Sequence, residues 1–197
     1  MKMKGEGEPL TKIELIKNAA VEIMSRKGVA ATSVSQIAKQ AGVSDGYLYR
    51  YYACKEDLVD SLLNDMISNV HIYLSDLIDT SKNLEEMVTS FNSYIYYKST
   101  SEPHTLKFLI MLQNDFSYQI PKSMLDEVEQ ICIKVVKGKH LKVNPNLTLE
   151  SIYVALVGLP FQYHSIYHKN MFDSKKLFSN KEEFIKQISH QTLKLLQ

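Results

Sequence analysis

Apolar positions recur every three or four residues along most of the chain, and nowhere do they alternate with period two over a useful length. That spacing is the signature of amphipathic helices and predicts an all-α protein. From Thr11 to Lys27 the apolar face is Ile13, Ile16, Ala20, Ile23 and Met24, and Gly28 supplies a stop. A short second helix follows in ATSVSQIAKQAG, with Thr32 and Ser33 as capping hydroxyls, Val34, Ile37, Ala38 and Ala41 facing inward and Gly42 as its end. Ser44 can cap a third short helix in DGYLYRYY, entered through a tight turn that contains Gly42. Two short helices joined in this way make a helix-turn-helix.

Beyond it, Leu58, Leu62, Met66, Val70, Leu74 and Leu77 define a long helix from Lys55 to about Asp79, able to connect two domains. Further helices are predicted from Leu84 to about Tyr97, from His104 to about Asn114, and from about Lys122 to Lys137 behind Pro121. GKHLKVNPN reads as a loop. Thr148 then caps a helix to about His168, which Pro160 should bend, and NKEEF opens a last helix reaching Leu196. About nine helices are expected in total: a three-helix domain over 9–54, then a larger helical domain over 55–197.

Composition sharpens this picture by exclusion. A chain of 197 residues with 45% hydrophobic and 23% charged residues has the make-up of an ordinary globular protein rather than a disordered one. Cys54 and Cys132 lie far apart without metal-ligand spacing, which fits free thiols in a reducing compartment. The opening MKMKGEGEPL has lysines with no apolar run after them, so no secretory leader is expected, and no stretch is long and apolar enough for a membrane span. A cytoplasmic protein is the expectation. The net charge of +1 gives no global basic signal. Between residues 26 and 55, however, Arg26, Lys27, Lys39, Arg50 and Lys55 stand against Asp45 alone, a local cationic footprint.

The residues of that segment carry a family resemblance. IKNAAVEIMSRKGVAATSVSQIAKQAGVSDGYLYRYYACKEDLV resembles the DNA-binding domain of the TetR family of bacterial transcriptional regulators, with paired alanines, a glycine, a Thr-Ser cap, an Ile-Ala pair, AGVS, a glycine, Leu-Tyr, an aromatic pair and Lys-Glu at the family's spacing. It covers about residues 11 to 60. The resemblance implies that Thr32 and Ser33 meet the DNA backbone at the start of the second helix and that Lys55 makes an ionic phosphate contact. It also places Ser44, Asp45, Gly46 and Tyr47 at the leading end of the recognition helix, with Tyr49 and Tyr51 donating hydroxyls to phosphates. Gly46 would let backbone and DNA approach closely. Leu48 and Tyr52 are expected to anchor the helix from within, and Arg50 to be solvated or paired with a phosphate. The chain departs from the family's common residues at Tyr47, at Asp45, which can accept from cytosine N4, and at Ser35, leaving Gln36 and Lys39 as the contacts from the second helix.

The same resemblance implies a homodimer built on the last two long helices, and hence a palindromic double-stranded operator. A small hydrophobic or aromatic effector would bind among the middle helices. Its candidate lining is Phe91, Tyr94, Tyr97, Phe108, Met111, Leu112 and Phe116, with Phe161, His164 and Tyr167; the alternative is ordinary core. His164 and His168 stand four apart without a supporting cysteine or carboxylate, so no metal or other cofactor is expected. No catalytic grouping stands out, which points away from an enzyme. Two rival readings stay open at this stage: a helical small-molecule carrier or enzyme with the tyrosines lining a pocket, and a regulator of the same fold acting as an activator.

Overall fold

In the computed structural model, residues 10–115, 118–168 and 180–197 are described. Every regular element among them is helical. They are α1 (Lys12–Lys27), α2 (Val34–Ala41), α3 (Asp45–Tyr49), α4 (Lys55–Thr80), α5 (Leu84–Ser101), α6 (Pro103–Gln113), α7 (Lys122–Lys137), α8 (Leu149–Tyr153), α9 (Leu159–His168) and α10 (Lys181–Leu196), with a π turn, Val154–Gly158, between α8 and α9. The chain divides into two compact units, Met1–Leu63 and Asn64–Gln197. The division falls within α4, after Leu63, and Leu58, Val59, Leu62 and Leu63 are all buried.

Local chemistry explains where the N-terminal helices begin and end. Thr11 caps α1 in a capping box with Glu14, and Ser33 caps α2 in another with Gln36, each pair satisfying two backbone N–H groups. Gly42 closes α2 in the left-handed region at φ 68°, its N–H donating to Lys39 while Val43 N–H donates to Ala38. This Schellman arrangement needs a residue without a Cβ penalty and delivers the chain directly to Ser44, which caps α3 through Tyr47 N–H. Ile16, Ala20 and Met24 of α1, Ile37 and Ala38 of α2, Leu48 of α3 and Leu58 of α4 form the core of this unit, none with measurable exposure.

In the C-terminal unit α5 packs against α6, α9 and α10, and α7 against α8. The core runs through Leu74, Ile78, Met87, Phe91, Val135, Leu141, Ile152, Ala155 and Leu196. Asn92 of α5 donates through Nδ2 to Ser189 Oγ of α10 at 3.1 Å, a polar tie within an otherwise apolar contact. α4 and α7 are joined by longer polar side chains: Lys134 Nζ reaches Ser75 Oγ and Asp79 Oδ2, both at 2.6 Å.

Two elements differ from their expected form. α5 continues four residues past Tyr97, to Ser101, and in this last stretch the hydroxyls of Ser99, Thr100 and Ser101 donate back to the carbonyls of Tyr96 and Tyr97. The irregularity expected at Pro160 takes the form of the π turn: Leu159 N–H donates five residues back to Val154. Widening the helix just before a residue that lacks an N–H accommodates its ring against the preceding turn.

Cys132 is buried in the C-terminal core, and desolvation pushes its thiol up to about 11, whereas Cys54 is exposed. The neutral thiol's contribution to stability is therefore present below the ordinary thiol range and is lost as the pH rises through that range towards about 11. Iodoacetamide at about pH 8 should label Cys54 alone in the native protein and both cysteines in denaturant, read by mass; native labelling of Cys132 would contradict its burial.

Candidate nucleic-acid interface

α3 divides its side chains cleanly. Leu48 is fully buried and Tyr52, just after the helix, is 7% exposed, while Tyr49 and Tyr51 are 52% and 45% exposed. Two apolar anchors thus hold a helix of five residues that is too short to be stable alone, and the remaining rings are left outside. Tyr47 lies between the two sets. Its ring centroid is 5.3 Å from that of Tyr51, their hydroxyls are 3.4 Å apart, and Lys12 Nζ and Arg50 Cζ lie 5.0 and 5.9 Å from its centre. The hydrogen bond to Tyr51 is the main reason that the Tyr47 hydroxyl titrates above the usual phenol range. Cations resting on a phenol ring by cation–π attraction make a preassembled, positively charged surface.

The other expected contacts sort by what they already touch. Ser33, Gln36, Ser44, Asp45, Gly46 and Arg50 are exposed. The hydroxyls of Ser33 and Ser44 accept backbone N–H groups and keep their own protons for an outside acceptor. A Cβ added at Gly46 would meet nothing within 4 Å, so packing inside the chain places no demand for glycine there.

Two of the expected contacts already have partners within the chain. Thr32 is buried, and its hydroxyl donates to Gly28 carbonyl at 2.7 Å, so its side chain fastens the α1–α2 loop from inside. Ser33 alone is the helix cap. Lys55 Nζ donates to the carbonyls of Val29 at 2.8 Å and Thr32 at 3.1 Å, which makes it a staple between α4 and the same loop. The loop leaves backbone oxygens without helical partners, and an ammonium of fixed reach satisfies two of them.

Sequence spacing missed two participants. Lys12 reaches Tyr47 from 35 positions away in the chain, a neighbourhood that no local pattern encodes. Ser35 donates its hydroxyl to Asp45 Oδ2, joining α2 to α3.

In the C-terminal unit the expected effector residues differ in exposure. Phe91, Phe108, Leu112 and Phe161 are buried. Tyr94 is half-buried, stacked on Tyr73 with centroids 4.1 Å apart, and burial raises the pKa of both phenols. Met111 is half-buried. His164 is fully buried with its ring edge-on to Phe184 at 5.0 Å and near Tyr96 at 5.9 Å. Tyr97 is 61% exposed on the outer face of α5, one position past Tyr96. Phe116 and the side chain of Tyr167 lie outside the described residues. Among the described residues no helix is long and apolar enough to cross a membrane, and no three His, Cys, Asp or Glu side chains gather as a metal site.

A three-helix unit whose short third helix is anchored by Leu48 and displays tyrosines and an arginine outward defines the class of helix-turn-helix proteins. Residues 16–62 match the model of the family described as bacterial regulatory proteins, tetR family. That segment is similar to the DNA-binding domain of this family. It is 28% identical over 99 residues to the HTH-type transcriptional regulator LuxR of Vibrio harveyi, covering 50% of this chain and 48% of that protein, so the match spans about half of that relative's length. Among solved structures, a TetR family transcription regulator from Marinobacter aquaeolei VT8 superposes with a TM-score of 0.77 at 18% identity, covering 94% of this chain and 95% of that one. The transcriptional regulator FadR from Bacillus subtilis in complex with stearoyl-CoA superposes with a TM-score of 0.66 at 20% identity, covering 93% and 97%. The shared fold therefore extends through both units.

Proposed function

We propose that this protein is a homodimeric, sequence-specific DNA-binding repressor released from a palindromic operator by a small apolar effector. The observation that carries the reading is the outward set on and just after α3, with Tyr49, Arg50 and Tyr51 exposed within the segment that matches the family, and Lys12 brought beside Tyr47. Exposed phenol hydroxyls and cations suit phosphate oxygens, and the leading end of α3 suits base edges in a major groove. A two-fold dimer would present two such helices about 34 Å apart. An apolar effector with a long acyl chain is supported by the FadR relative, which was solved with stearoyl-CoA, and by the aromatic and aliphatic interior of the C-terminal unit. α4 belongs to both units and is the covalent path by which a ligand that prefers one state lowers affinity for DNA.

The test is selection of bound duplexes from a random pool by the purified protein, followed by titration of the enriched site at several salt concentrations with and without stearoyl-CoA. A palindromic site whose affinity falls steeply with salt is expected, with release on adding the acyl-CoA. Enrichment of no sequence would sink the DNA-binding reading, whereas a palindrome indifferent to acyl-CoA would sink only the effector class.

A further inference from the structure

Asp45 is the discordant charge of the interface. The side chains that flank its neighbour Tyr47, Lys12 and Arg50, are cationic and suited to phosphate, yet Asp45 is exposed at the head of α3. Among the described residues its hydrogen-bond partner is Ser35, whose hydroxyl donates to Asp45 Oδ2 across ten positions of sequence. That bond commits Ser35's one proton. What remains on Ser35 Oγ is lone pairs, and an ionised carboxylate offers lone pairs only. Two side chains from two helices thus present adjoining acceptors with no donor between them.

Such a patch is repelled by phosphate oxygens, which are themselves anionic acceptors. In a major groove it is complementary to an exocyclic amino group. Cytosine shows its N4 amino donor alone, whereas adenine sets an N7 acceptor beside its N6 donor, and that second acceptor would face the Ser35–Asp45 lone pairs unfavourably. We propose that Asp45 reads the N4 amino group of a cytosine at one position of each operator half-site, with Ser35 as the positioning residue that fixes the carboxylate. The proposal rests on the DNA-binding reading above. It accounts for a negative charge on a surface otherwise built for a polyanion: the residue trades some general affinity for discrimination between bases.

The experiment is parallel selection from one random duplex pool by the wild-type protein, Asp45→Asn and Ser35→Ala, with binding of each to an unrelated duplex measured alongside. Both side chains are exposed, so both variants should fold, which thermal denaturation checks. The wild type should require cytosine at one position per half-site, by on the order of tenfold over other bases. Asp45→Asn, whose amide can donate as well as accept, should lose that preference at that position alone while binding the unrelated duplex more tightly. Ser35→Ala should keep cytosine but discriminate less sharply, with unchanged affinity for the unrelated duplex. An Asp45→Asn variant that selects the wild-type base at every position would overturn the proposal, and a Ser35→Ala variant that discriminates like wild type would remove Ser35 from it. Failure of the wild type to enrich any sequence is a different result, and it strikes the DNA-binding reading itself.

Discussion

Leu48→Ala should lower the stability of the N-terminal unit by about 2–5 kcal/mol and abolish DNA binding at temperatures where the wild type binds. Leu48 has no measurable exposure, and it anchors a recognition helix only five residues long. A helix of that length has no independent stability, so its position depends on this contact and on Tyr52. Deleting three carbons of a fully buried side chain removes their transfer free energy and leaves a cavity in the core of the N-terminal unit. Urea denaturation followed by the far-ultraviolet helix signal measures the loss. Leu48→Met, which conserves volume, should cost less than about 1.5 kcal/mol and retain binding. If the alanine variant melted like wild type, the anchoring role assigned to Leu48 would be wrong.

Lys55→Met has the next largest expected effect, and it separates two roles for one side chain. The ammonium donates to two carbonyls of the α1–α2 loop, and charge-assisted hydrogen bonds of this kind are worth about 1.5–3 kcal/mol. The methionine keeps much of the stem and removes the donor, so a loss of about 2 kcal/mol is expected, with discounting because the site is only half-buried. The salt dependence of operator binding should keep its wild-type slope. A phosphate contact at Lys55 would instead flatten the slope of log affinity against log salt by about one while leaving the urea midpoint in place. Arg50→Ala provides the comparison in the same assay, since Arg50 is exposed and free to meet a phosphate.

Thr32 and Ser33 are adjacent hydroxyls, both acceptable helix caps by type; only the path of the chain after Gly28 turns one inward to Gly28 carbonyl and leaves the other over α2. Lys55 follows the same logic, for a lysine at a helix start meets solvent, phosphate or a nearby carbonyl according to what the fold brings beside it. Tyr96 and Tyr97 are one step apart on α5, and a step of about 100° sends one to Phe184 and His164 and the other into solvent.

What the sequence by itself determined was whatever depends on neighbours along the chain: the helical period, the cap at Ser44, the glycine that closes α2, and the division between buried Leu48 and the exposed tyrosines around it. These follow from backbone geometry and from burial with a period of about 3.6 residues, and both are written locally. Only the tertiary structure decided which polar groups are already satisfied. Ser35 meets Asp45, Lys12 covers Tyr47, and Lys55 caps carbonyls on a distant loop. A hydrogen bond or cation–π contact is made by separation in space, and a folded chain brings together residues whose separation in sequence carries no trace of that meeting.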